Sequence, residues 1–251
     1  MSGRLDRKSL ETLVRKGEID TVLTVFPDGL SRLMGKRLTA RHFLEHALDD
    51  GVHACIYLFT VDMEMEPLPG FTLTSWERGY GDMKMVPDMA TLRVIPWLPK
   101  TALVFCDVYT EEGEPVEEAP RWVLKRQIAR AAAQGYLVKT AAELELYCFR
   151  ETFEAARAKR YQNLTPFSTY LEDYHILQTS KEEPLVRAIR NGMEAADVPV
   201  GHLQRIRVAQ VDLLLPASPL ALENSTGTRA ASIPLRMART SGSSFEVCKI
   251  W

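Results

Sequence analysis

The run AAELELYCF, residues 141–149, restricts the fold more than any other segment of the chain. In a strand, side chains alternate between two faces, so Glu143 and Glu145 share one face about 6.5–7 Å apart. Tyr147 and Phe149 continue that face, while Leu144, Leu146 and Cys148 take the other. Two carboxylates inside an apolar run are costly to bury unpaired, so they need arginines, a cation or water. Two readings fit the spacing. One is an edge strand with a solvated acidic face; the other is a site for a hard cation such as Mg²⁺, which takes oxygen ligands.

Around this run, the pattern is that of an α+β chain. Leu10 to Lys16 suggests a short helix. Thr21 to Phe26 and Leu30 to Lys36 read as strands joined at Pro27-Asp28-Gly29, a hairpin signal. Thr39 is placed to cap a helix through RHFLEHALDD, with Phe43, Leu44, Ala47 and Leu48 as its apolar stripe and Gly51 as its stop. Further strands are expected at Ala54 to Thr60, Leu92 to Pro96 and Ala102 to Tyr109. Between the first two lies a long irregular stretch rich in Pro, Gly and Met, of the kind that is usually functional. The acidic segment TEEGEPVEEAP reads as a solvated linker, and Pro120 opens a helix that Gly135 stops. After the acidic strand, helices are expected near Glu151 to Lys159 and over EEPLVRAIRNGMEAAD. The alternation marks the start of an α/β unit.

Composition excludes several classes. With 46% apolar and 25% charged residues the chain can bury a core. A net charge of -2 provides no electrostatic reason to expect nucleic acid or an acidic membrane as partner. No apolar run reaches the ~18–20 residues that span a bilayer. The charged N-terminus is no secretory signal. Cys55, Cys106, Cys148 and Cys248 are widely spaced and read as reduced packing residues of a cytoplasmic protein.

Four segments in order resemble the glutamine synthetase family across about residues 15 to 200. IDTVLTVFPDGLSRLMGKRL is similar to the family's first hairpin, and GDMKMVPDMATLRVIPWLPKTALVFCDVY to its "D…PD…T…P" segment with the following strand and acid. PRWVLKRQIARAAAQGYLVKTAAELELYCF resembles the helix leading into the "E-L-E-F" metal strand. LTPFSTYLEDYHILQTSKEEPLVRAIRNGMEAADVPV resembles what precedes the next metal strand. The resemblance implies a β-grasp N-terminal domain over residues 1–110 and the start of the catalytic α/β domain over 111–200. Residues 201–251 follow as a divergent, poorly ordered tail.

The resemblance also implies an ATP-dependent ligase that joins ammonia or an amine to the γ-carboxylate of glutamate through γ-glutamyl phosphate, working as a homo-oligomer. Glu143 and Glu145 would then be metal ligands for Mg²⁺ or Mn²⁺, with ATP as co-substrate. Asp82 would bind and deprotonate the nucleophile, a task that suits a carboxylate facing a cation. From local sequence alone, Asp82 also reads as a turn former beside Gly81. The family's "DGSS"-like loop is replaced by TLTSWERGY, which leaves room for an amine larger than ammonium.

The chain departs from the family after Val198-Pro199-Val200. A glutamate and a Gly-Gln-x-Glu turn are expected there, but Gly201-His202-Leu203 follows, and the later metal histidine and phosphate-binding arginines have no counterpart. The expectation is a truncated chain, inactive alone; the alternative is a non-catalytic β-grasp module for assembly or regulation. Other signals weigh less. His42-Phe43-Leu44-Glu45-His46 matches H-x-x-E-H but reads as an exposed helix flank. Met63, Met65, Met83, Met85 and Met89 read as gap-fillers in a mobile loop, and His175 as a packed hydrogen-bonding residue.

Overall fold

The computed structural model describes residues 3–136, 143–144, 146–168, 175–198 and 200, together with strands His202–Gln204, Asp212–Leu214 and Cys248–Ile250. The chain forms two compact units, residues 1–136 with 195–197, and residues 137–194 with 198–251. Among the described residues no helix is long and apolar enough to cross a membrane.

The first unit is built on strands β1 (Thr21–Pro27), β2 (Leu33–Thr39), β3 (Val52–Cys55), β4 (Asp82–Pro87), β5 (Arg93–Val94) and β6 (Thr101–Tyr109). They pair in the order β2-β1-β6-β4-β3, with β5 on β6. β6 runs parallel to β1 and antiparallel to β4 and β5. That central position explains its nearly continuous apolar sequence, since both faces are covered.

The hairpin forms where the turn signal placed it, but β2 starts at Leu33 because residues 28–32 are consumed by the turn. Asp28 is buried there, and its carboxylate accepts from Leu30 N (2.9 Å), Arg32 N (2.8 Å) and Arg32 Nε (2.7 Å). Gly35 has φ +154°, and a Cβ there would meet Thr24 O at 1.9 Å, so only glycine lets β2 lie this close to β1.

Helix α1 (Arg7–Arg15) is capped by Asp6 and buries Leu10. A second helix, α2, spans residues 40–50, and Thr39 Oγ1 accepts from His42 N as its cap. Its middle, Phe43–Ala47, is a π-helical turn, and Gly51 ends it with φ +77°. Phe43 and Ala47 are buried in the core, with Leu44 and Leu48 packed against it. Phe26 and Phe59 meet at 5.1 Å in the same core.

Two expectations need correction. The strand expected over 54–60 ends at Cys55, and Ile56–Phe59 turns off the sheet edge as a 3₁₀ turn. The irregular stretch before Asp88 contains β4, in which Met83 and Met85 are fully buried. These two methionines alternate with Asp82 and Lys84 at period two, so they belong to the core rather than to a mobile loop.

In the second unit, β7 (Glu143–Leu144) pairs antiparallel with β10 (Asp212–Leu214), which pairs with β9 (His202–Gln204). β8 (Leu146–Cys148) pairs with β11 (Cys248–Ile250). Most of residues 201–251 lie outside the described residues. Three helices are described, α4 (Phe153–Ala158), α5 (Ile176–Thr179) and α6 (Glu183–Ala195). Thr152 caps α4 by accepting from Ala155 N. Beside it, buried Glu151 accepts from Lys159 Nζ (2.6 Å), Thr165 N (2.9 Å) and Thr165 Oγ1 (2.8 Å).

These donors, Lys159 first, hold the Glu151 carboxyl down to about 2, from 4.5. A depressed folded-state value stabilises fully above the unfolded value and is lost as pH falls through the folded one. Glu151→Gln should therefore lower stability most above about pH 4.5, with the difference shrinking between 4.5 and 2. Urea unfolding across pH 2–6 checks this, and a difference independent of pH would exclude the charge as the cause.

Candidate functional site

Asp82 is the first residue of β4, paired in register with Cys55 of β3, and it is exposed. It is a ladder residue, not the turn former that Gly81 beside it suggested. The ladder continues past the strand end: Ile56 N donates to Gly81 O at 3.0 Å, and Cys55 Sγ lies 3.4 Å from the same oxygen. The chain reaches this point through two closed loops. In the first, Asp62 accepts from Glu64 N and Glu66 N. In the second, Ser75 bridges Gly79, Thr74 Oγ1 donates to Gly79 O at 3.0 Å, and the Arg78 guanidinium donates to Thr72 O. Trp76 sits at the tip of that second loop.

On the other side of β4, the Pro87-Asp88 turn joins a charge cluster. Arg121 donates from Nη2 to Asp88 Oδ2 (2.5 Å) and from Nε to Asp107 Oδ1 (3.0 Å), and Lys125 also binds Asp107. Arg121 and Lys125 lie on helix α3 (Pro120–Ala133), one turn apart. Their partners end β4 and lie within β6. Trp122 Nε1 donates to Val108 O at 2.7 Å, and its ring meets Tyr109 edge-on at 5.3 Å.

The acidic segment before the helix is knit rather than linker-like. Thr110 N donates to Glu114 O and Val116 N to Val108 O, and Val116 and Ala119 are buried. Apolar residues hidden among acids anchor it. The Cys106 thiol, buried in β6, is pushed up to about 12 chiefly by loss of solvent, which makes it a packing residue and a poor nucleophile. The "PD", "CD" and "PR" pieces of this cluster stand in the sequence with nothing to join them, since contacts 14 and 33 residues apart leave no periodic trace.

Of the metal-strand residues, Glu143 stands on β7 opposite Leu214, and Glu145 lies outside the described residues. Among the described residues no group of three or more His, Cys, Asp or Glu converges as a metal site. His42 and His46 share an exposed flank with rings 5.1 Å apart, while Glu45 between them pairs with Arg41 at 2.8 Å. His175 is exposed rather than packed. It directly precedes α5, and its carbonyl accepts from Thr179 N.

Comparison with known proteins agrees with this architecture. Residues 117–220 match the glutamine synthetase catalytic domain. The γ-glutamylethanolamide synthetase of Streptomyces coelicolor is 46% identical over 193 residues, 77% of this chain and 42% of that protein. A glutamate–isopropylamine ligase from a Pseudomonas species is 32% identical, over 74% of this chain and 40% of that protein. The solved structure of a GmaS–ADP complex has a TM-score of 0.63 at 20% identity, covering 84% of this chain and 44% of that one, a likeness of fold.

The class these relatives define is that of glutamate-dependent carboxylate–amine ligases. The chain belongs to the glutamine synthetase family. It spans about two fifths of the length of the curated relatives it matches.

The Arg121 side chain is 20% exposed, so its ion pairs are partly screened and weaker than fully buried ones. Arg121→Leu should destabilise the first unit by about 1–3 kcal/mol, less than the ~3–5 of a fully buried broken pair. Urea unfolding measures this; a change below about 0.5 kcal/mol would show that the cluster is only decorative.

Proposed function

We propose that this chain forms the front part of an ATP-dependent ligase that joins an amine to the γ-carboxylate of glutamate through γ-glutamyl phosphate. The observation that carries the reading is the 46% identity to a γ-glutamylethanolamide synthetase over 193 residues, a length that must take in Asp82, Glu143 and Glu145. The strand order of the first unit, with its β1–β2 hairpin, the following helix and β6 returning parallel beside β1, supports reading residues 1–110 as a β-grasp domain.

The chemistry divides among the chain's own residues as follows. A carboxylate is a poor electrophile and needs activation, which ATP supplies by phosphorylating it. Glu143 and Glu145 offer the hard oxygen donors that Mg²⁺ or Mn²⁺ takes, and such a cation neutralises phosphate charge. Asp82 faces solvent as a carboxylate. It would hold an incoming ammonium group and accept its proton, freeing the nitrogen lone pair for attack. Two carboxylates are few ligands for a hard divalent cation, so turnover is not expected of these 251 residues by themselves. Residues outside this chain and further copies in an oligomer would complete it.

The test is a chimera in which residues 15–200 replace the matching stretch of the Streptomyces relative. It should release phosphate in a manner dependent on glutamate and amine, while the 251-residue chain alone should not. Glu143→Ala in the chimera should lower kcat by at least about 100-fold and raise the metal concentration required. Unchanged metal dependence would remove Glu143 from the site, and turnover by the isolated chain would overturn the division of labour.

A further inference from the structure

The helix that follows the hairpin is irregular in its middle, and two histidines face each other there. α2 is α-helical at both ends, but Phe43–Ala47 between them forms a π-helical turn. Such turns are rare, and inside α-helices they often mark functional sites. On the inward side Phe43 and Ala47 are buried, with Leu44 and Leu48 packed against the core, so the backbone is firmly held. On the outward side stand His42 and His46, both exposed. In a regular α-helix, residues i and i+4 are offset by about 40° around the axis. A turn closed by i→i+5 bonds takes up more residues, which brings the two imidazoles closer to one line. Their ring centroids are 5.1 Å apart, with planes inclined at 46°.

That separation suits one shared metal ion. Two imidazoles on a tetrahedral Zn²⁺, with Zn–N of about 2.0–2.1 Å, place their ring centres roughly 5 Å apart. The surroundings favour a cation as well. Asp49 and Asp50 occupy the last turn, and a helix C-terminus carries negative partial charge. Glu45, between the histidines, is engaged by Arg41 at 2.8 Å, and Asp49 is held by Arg7 at 3.3 Å. The motif therefore supplies two nitrogens and no free carboxylate, and among the described residues no third ligand joins them. That excludes the hydrolytic arrangement an H-x-x-E-H run suggests and leaves metal binding.

We infer that His42 and His46 form a two-imidazole site for a borderline divalent transition metal such as Zn²⁺, with water completing its coordination. The site differs in kind from a carboxylate site for Mg²⁺, because imidazole suits Zn²⁺, Cu²⁺ and Ni²⁺ while Mg²⁺ keeps to oxygen. It requires neither ATP nor glutamate and stands apart from the ligase reading. Chelation clips one turn of α2, and the unfolded chain holds the two rings in no fixed geometry, so the metal stabilises the folded helix.

The experiment is a calorimetric titration of the 251-residue chain with ZnCl₂ at neutral pH in excess MgCl₂. Saturable binding at one site per chain is expected, with Cu²⁺ displacing Zn²⁺ and Mn²⁺ competing poorly. His42→Ala and His46→Ala should each weaken binding at least about tenfold, because the second imidazole then no longer acts intramolecularly. His175→Ala should leave the affinity unchanged. Both α2 side chains are exposed and alanine is the better helix former, so these variants keep the fold. Zn²⁺ should also raise the melting temperature of the wild-type chain more than that of the doubly substituted one. No saturable binding, wild-type affinity in either α2 variant, an equal loss in His175→Ala, displacement by Mg²⁺, or equal melting shifts overturns the inference.

Discussion

The guanidinium of Arg121 joins three separate parts of the chain: the turn after β4 through Asp88, the central strand β6 through Asp107, and its own helix. Each contact is a charge-assisted hydrogen bond, and Lys125 neutralises the second oxygen of Asp107 from one helical turn further on. Arg121 also lies over the Phe105 ring at 5.7 Å, so its body packs while its edge bonds. The start of α3 and the end of β4 are thereby held against the same strand. Asp88 is doubly engaged: its backbone N–H donates to Phe105 O, and its side chain accepts from Ala90 N.

Much of the first unit depends on that arrangement. β6 lies between β1 and β4, and its nearly complete burial requires covering on both faces. β4 in turn begins at Asp82 and ends at the turn that Arg121 grips. A strand anchored at its far end, with Met83 and Met85 buried along it, presents its first residue to solvent at a defined place. The loops before Asp82 close on themselves. Rigidity behind Asp82 and exposure at it are consequences of one strand.

Legibility in the sequence varied with the range of the interaction. The β1–β2 hairpin, the Thr39 cap with its Gly51 stop, and the Pro120 helix were all readable, because turn chemistry, capping and apolar spacing are local. β4 was hidden because its alternation uses Met on the buried face and a terminal proline, both of which resemble loop composition. Ile56–Phe59 looked like strand because β-branched and aromatic residues favour strands, yet the sheet edge ended at Cys55. The Arg121 cluster left no periodic mark at all.

By itself, the sequence determined the family and the order of hairpin, helix and central strand. These follow from short-range sterics and alternation, which operate wherever the chain sits. Only the tertiary structure decided that Asp82 is a strand residue opposite Cys55, that Asp88, Asp107 and Arg121 converge, and that the rings of Trp76, Tyr80 and Tyr57 meet edge to face. Each of those depends on strand register and on side chains brought together from distant positions. Packing sets such contacts, and no window of neighbouring residues records them.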